Sequence, residues 1–241
     1  MEETTPNTEN MSVLNKMINV FTSPSKAFTS LDSYKNWLIP ILVIIIVAIG
    51  RQFIMQDLEI DAVKERITRN EQIPEEQKTA ILEKIDQDSN DTFAIIKSIG
   101  GIIIMTFLFA ALVAGLYFFT GNIIFGGSSS YANMLSVYAL GSLIFIPEHI
   151  VKTALALSKG STTVYTSLAI LFDPAESSTL LFTLANAIDI FSIWKLAVWA
   201  IGFGIVYKFN QTKSWIAVGF WYLVGIFVFY GLNTLTGGML G

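Results

Sequence analysis

Apolar positions along this chain fall into long unbroken runs separated by polar stretches. Five such runs stand out, at residues 37–55, 99–125, 131–157, 180–207 and 214–235. The second and fifth carry no charge, and the first carries only Arg51. The third holds Glu148, His149 and Lys152, and the fourth holds Asp189 and Lys195. A helix needs roughly 20 apolar residues to cross about 30 Å of hydrocarbon, a length that every run meets. The runs are continuous instead of alternating, which excludes a β-barrel. The pattern therefore predicts an all-α polytopic membrane protein with five transmembrane helices.

The polar stretches organise the remainder into an N-terminal tail over 1–36 and a membrane domain over 37–241. Residues 1–10 read as a disordered tail. From Ser12 onward, Val13, Leu14, Met17, Ile18 and Phe21 recur at three- and four-residue spacing, predicting a short amphipathic helix. Such a helix either lies on the membrane surface or packs against the protein's own helices. Ser23-Pro24 ends it, and Ala27, Phe28 and Leu31 start a second apolar face. Trp37 sits at an interfacial position, and Pro40 is expected in the first turn of the first span, where its missing N–H costs little. The polar insertion 57–92 is drawn as two helical pieces, 57–70 and 75–89, broken at Gln72-Ile73-Pro74. It is too small and too poor in apolar residues for a catalytic domain. The Gly126–Ser130 connection is so short that the second and third spans must be antiparallel neighbours. Val164–Phe172 is apolar but too short to cross, and is expected to cap the bundle or re-enter part way.

Composition narrows the function classes. The 241 residues are 53% hydrophobic and only 14% charged, well below the charged share of a soluble domain. Lysine and arginine number 15 against 19 acidic residues, which argues against a nucleic-acid partner. With no cysteine there is no disulfide, thiolate metal site or cysteine nucleophile. The polar N-terminal 36 residues exclude a cleavable signal peptide, so the first run persists as an anchor. One histidine cannot complete a zinc site, and neither H-E-x-x-H nor G-x-S-x-G occurs. Glu148 and Asp189 form only a weak match to an intramembrane carboxylate dyad. The Gly126-Gly127 pair lacks the lysine of a phosphate loop. No catalytic residue, metal or cofactor is therefore assigned, and the chain is read as a non-enzyme.

The ionisable residues within the runs are the candidate site. A charge at the centre of a spanning helix costs about 2.5–3.5 kcal/mol on insertion scales, so it normally has a partner. Glu148 and Lys152 are four apart with glutamate first, the favourable order for one helix face. Lys195 is expected near the middle of its span. Asp189, six residues earlier, lies about 240° around the same helix and cannot share its face. Pro147 frees the carbonyl four residues before it and should kink the third span. A polar cluster of Glu148, His149, Lys152, Asp189 and Lys195 is expected between the third and fourth spans, with Lys195 meeting Glu148 or His149. Its functional reading is an ion or substrate path, or a proton relay through His149. Its structural reading is an ion pair fixing helix register.

The order of features resembles the Yip1 domain family. The resemblance rests on Phe21-Thr-Ser-Pro24-Ser-Lys-Ala-Phe28, Trp37-Leu-Ile-Pro40, Phe125-Gly126-Gly127 with Ser129–Tyr131, Pro147, Thr166-Ser-Leu168 and Asp189-Ile-Phe191-Ser-Ile-Trp194-Lys195. It implies a five-helix integral membrane protein with a cytoplasmic amino terminus, the carboxyl terminus lying on the opposite side. Eukaryotic members are implicated in vesicle traffic and contact Rab-type GTPases through cytosolic N-terminal regions. The short tail and charged insertion look more like prokaryotic members, which places the chain in a bacterial plasma membrane. Lys208 and Lys213 in a short loop favour that orientation, while Arg51 and Lys97 oppose it. The expected role is membrane organisation or a trafficking-like adaptor, with the lipid bilayer, protein partners or further copies of the chain as partners. The competing expectation is a small transporter or channel using the third–fourth span cluster.

Overall fold

The computed structural model describes residues 11–31, 33–71, 73–173 and 176–235, without the side chain of Asn90. The predicted tail 1–10, Gln72 and the last six residues lie outside them. Among the described residues the protein is all-α, with a single isolated bridge between Ser167 and Asp189. Five helical segments are long and apolar enough to cross a membrane: Lys35–Arg69, Thr92–Ile124, Tyr131–Lys159, Ile190–Tyr207 and Gln211–Leu235. The third is the most enclosed by protein and the fifth the least.

Two short helices, α1 (Val13–Thr22) and α2 (Pro24–Ala27), precede the first span. Ser12 caps α1 by accepting the Asn15 N–H at 3.2 Å. Both helices pack within the bundle, α1 against the first and third spans and α2 against the fourth. Lys16 and Val20, one turn apart, are buried, while Leu14 and Ile18 on the opposite face stay exposed. The helix packs on the protein's own helices through Lys16 and Val20, while Leu14 and Ile18 of the predicted apolar stripe face outward. Lys16 donates to the Ser30 carbonyl and, at 3.2 Å, to Asn36 Oδ1, tying α1 to the start of the first span.

Helix α3 (Lys35–Arg69) runs unbroken through the first span and on into the insertion. The expected separate piece 57–70 is thus a continuation of the span, because neither glycine nor proline interrupts 51–69. Pro40 lies inside α3 instead of in its first turn, since the helix starts at Lys35. Helix α4 (Glu75–Asn90) follows, with Pro74 as its N-cap residue and Glu75 and Glu76 in its first turn, where the helix dipole favours acids. Helix α5 (Thr92–Phe119) begins seven residues before the charge-free run, because Asp91 accepts the Phe93 N–H at 3.1 Å and caps it there. It closes in a π-helical turn at Thr120–Ile124.

The third span is split. Helix α6 (Tyr131–Gly141), capped by Ser130, passes through a 3-10 turn at Ser142–Ile144 into α7 (Phe145–Lys159). Pro147 stands in the first turn of α7, and the irregular turn lies where its missing N–H leaves the helical ladder open. Helices α5 and α6 pack side by side, as the short connection required. The fourth run is also two helices, α8 (Leu180–Ala187) and α9 (Ile190–Tyr207), so the crossing starts at Ile190 and not near 180. The 164–172 segment forms a 3-10 turn at Leu168–Leu171. It is held to the α8–α9 break by the Leu168 N–H donating to the Ile188 carbonyl at 3.1 Å. Helix α10 (Gln211–Leu235) completes the bundle against α9.

The core is aromatic. Tyr138 stacks on Trp199 with centroids 5.5 Å apart, and Tyr117 meets the edges of both Trp199 and Phe203. Trp199 Nε1 donates to the Tyr138 carbonyl at 3.1 Å, which satisfies its one buried donor. The approach of α6 to α9 that permits this stack depends on Gly141, where a Cβ would stand 2.2 Å from Trp199 Cδ1.

Candidate functional site: a charged network between the third and fourth spans

Two helices and one loop converge on the site. From α7, Glu148 and Lys152 project one turn apart on one face, and the Glu148 Oε1 to Lys152 Nζ distance is 2.7 Å. From α9, Lys195 reaches the other carboxylate oxygen, Oε2, at 2.6 Å. Lys152 also lies 3.4 Å from Asp189 Oδ2. Lys195, Glu148, Lys152 and Asp189 therefore form a continuous chain of alternating sign with no net charge. Glu148, Asp189 and Lys195 are buried, whereas Lys152 is about one-third exposed, at 33% of its side chain.

Asp189 has a second role. It is the N-cap of α9, and its Oδ1 accepts the Phe191 N–H at 2.7 Å. Its Oδ2 accepts the Thr166 hydroxyl from the loop after the third span. The neighbouring Ser167 bridges to Asp189 through the backbone and donates its hydroxyl to Asn186 Oδ1 at 2.8 Å. Tyr222 on α10 donates to the Ala187 carbonyl at 2.7 Å on the same break. The cap thus joins four parts of the chain at one point: α7, the 158–179 connection, α9 and α10.

The network lies toward one end of the bundle. Because α9 starts at Ile190, Lys195 is only about 9 Å along the axis from the Asp189 cap at 1.5 Å per residue, not at mid-span as expected. The cost of charge falls steeply away from the bilayer centre, so this position is easier to sustain. An aromatic floor supports it: Lys195 Nζ stands 3.9 Å above the Phe145 ring centroid, a cation–π contact. His149 stacks on the same ring, its own ring 5.9 Å from Phe145 and nearly parallel to it at 17°. The residue that Lys195 meets is Glu148, and the ring of His149 is engaged with Phe145.

Phe145 and Thr166 complete the geometry and were not singled out from the sequence as site residues. Phe145 is one turn before His149, a spacing that could have marked it. Thr166 sits in an irregular connection without periodicity, and only the Thr166-Ser-Leu168 phrase of the family resemblance marked it.

The remaining motif positions make apolar contacts spread along α9, from Trp194 near the network to Tyr207 at its far end. Phe21 of α1 meets Trp194 edge-on, with centroids 6.0 Å apart. Pro24 opens α2, and Phe28 at its end packs where a Cβ on Gly202 would come within 2.9 Å of its ring. Gly126 adopts φ +67, and Gly127 lies so close to Tyr207 and Phe209 that a Cβ would sit 2.7 Å from each ring. Phe191 packs on the core beside Trp194. The N-terminal phrase and the fourth-span phrase, far apart in sequence, are therefore one contact.

In a family comparison, the Yip1 domain model matches residues 18–232, from the middle of α1 almost to the end of α10. This chain belongs to the Yip1 domain family. It is an integral membrane protein. Comparison with curated proteins and with solved structures finds no match. Within this Yip1 domain, the matched region takes in every residue of the charged network and both partners of the Phe21–Trp194 contact.

Proposed function

We propose that this Yip1 domain protein acts without catalysis, as a membrane-organising, trafficking-like adaptor that works through protein or lipid partners. The observation that carries this reading is the self-neutralised network. Glu148 has an ammonium on each of its oxygens, and Asp189 accepts from Thr166, the Phe191 backbone and, more loosely, Lys152. A site that passes ions or binds a charged substrate leaves ligands for the traveller, whereas these groups are already matched by the protein itself. Their arrangement suits a clamp that locks the split third span to the start of α9 and gives partners a rigid surface. Placement in a bacterial plasma membrane goes with this reading, and Lys208 in the short α9–α10 loop with Lys213 in the first turn of α10 supports a cytoplasmic amino terminus.

The second reading is a small transporter or channel. It draws on one feature: Lys152 is the most exposed member, and its 3.4 Å link to Asp189 is the longest in the chain. Sealed vesicles containing the purified protein and a pH- or sodium-sensitive dye separate the two. The adaptor reading expects no flux above empty vesicles, together with a defined protein partner cross-linked to the chain in native membranes. A flux that disappears in Glu148→Gln overturns it in favour of transport.

A further inference from the structure

A cavity of about 320 Å³ opens between α3, the end of α4 and the start of α5, and none of the charged-network residues lines it. Its size falls at the lower end of ligand pockets, which run from about 300 to 1,000 Å³. Its level in the membrane can be read from the chain. The charge-free part of α3 ends at Gly50, and that of α5 begins at Ser98. The cavity is lined from Ile49 to Val63 on one side and from Ala94 to Ile99 on the other, so it straddles the hydrocarbon boundary.

Its lining is amphipathic. Ile49, Phe53, Ile95 and Ile99 line the membrane end. Gln52 reaches Ser98, and Gln56 Nε2 donates to the Ser89 carbonyl at 3.2 Å, so the two glutamines hold the walls together. At the outer end stand the carboxylates of Glu59 and Asp88, and neither lysine nor arginine contributes to the lining. Arg51 lies 3.0 Å from Glu59 and offsets that charge from outside the cavity, which leaves Asp88 as the excess negative group.

We propose that this cavity is a lipid site, holding one acyl chain of a zwitterionic phospholipid with its ammonium headgroup at Asp88, beside the Arg51-paired Glu59. Apolar walls at hydrocarbon depth take the chain. The sign of the mouth selects a headgroup that ends in a cation over one that is purely anionic. The proposal goes beyond the adaptor reading and stands on the cavity alone, so a flux or partner-capture result leaves it untouched.

Native mass spectrometry of the full chain in mild detergent tests it, with phosphatidylethanolamine and phosphatidylglycerol of identical chains added in equal amounts. The expected result is a several-fold excess of the ethanolamine lipid on the protein. Asp88→Asn, at an exposed position, should bring the ratio toward one without lowering the melting temperature. Ala94→Phe, which fills the cavity, should reduce retention of both lipids. Equal retention, a preference for the glycerol lipid, or a ratio unmoved by Asp88→Asn overturns the proposal.

Discussion

At the scale of single residues, the balance at Glu148 decides what the intramembrane charges contribute. A buried pair gains little over an apolar replacement of both members, but losing one member leaves the other charge stranded. Lys195→Met is therefore expected to destabilise by about 3 kcal/mol. Glu148→Gln should cost more, since it strands the buried Lys195 and leaves Lys152 with Asp189 alone. The double variant should cost less than the two single costs added, because the stranded partners vanish with each other. Tryptophan-monitored melting of all three in one detergent checks this. Melting temperatures indistinguishable from the parent would remove the clamp. The Glu148–Lys152 spacing was legible in the sequence because helical periodicity alone puts the pair on one face. The Thr166–Asp189 bond was not, although the family resemblance named both residues, because a loop has no period from which a direction can be inferred.

Among the elements, the contact of α6 with α9 is the least tolerant of added volume. Gly141→Ala places a methyl 2.2 Å from Trp199 Cδ1, so the indole must leave its stack on Tyr138 and its bond to the Tyr138 carbonyl. Overpacking of this kind costs about 1–3 kcal/mol. On α10, Gly219→Ala meets nothing within 4 Å and should melt at or slightly above the parent, since alanine is the better helix former. A melting curve for each variant suffices; equal effects would mean that the aromatic stack does not govern stability. Element boundaries show what a hydropathy run can and cannot locate. The run at 180–207 is free of charge apart from Asp189 and Lys195, yet Asp189 caps a new helix there and divides it. The first run, conversely, ends in composition at Met55 but continues as helix to Arg69, because charge stops a membrane span without stopping a helix.

For the whole molecule, five crossings place alternate connections on opposite sides of the membrane. The absence of cysteine permits a direct check with single introduced thiols. Glu75→Cys on α4 and Gln211→Cys at the start of α10 are separated by three crossings and should react with an impermeant maleimide from opposite sides. Same-sided labelling would exclude five crossings. That the chain is a helical membrane protein was fixed by composition and run length alone, since burying the backbone in hydrocarbon leaves long apolar segments only the helix or the closed barrel. The likelihood of pairing within the charged cluster was also set there, because a lone charge in a span is expensive. Tertiary structure alone decided that Lys195 takes Glu148 and Lys152 reaches Asp189, that α1 and α2 pack against the spans, and that a cavity opens beside α3. The reason is physical: hydropathy records how much each residue prefers to leave water, whereas partner choice depends on how rotated, broken and capped helices meet in three dimensions.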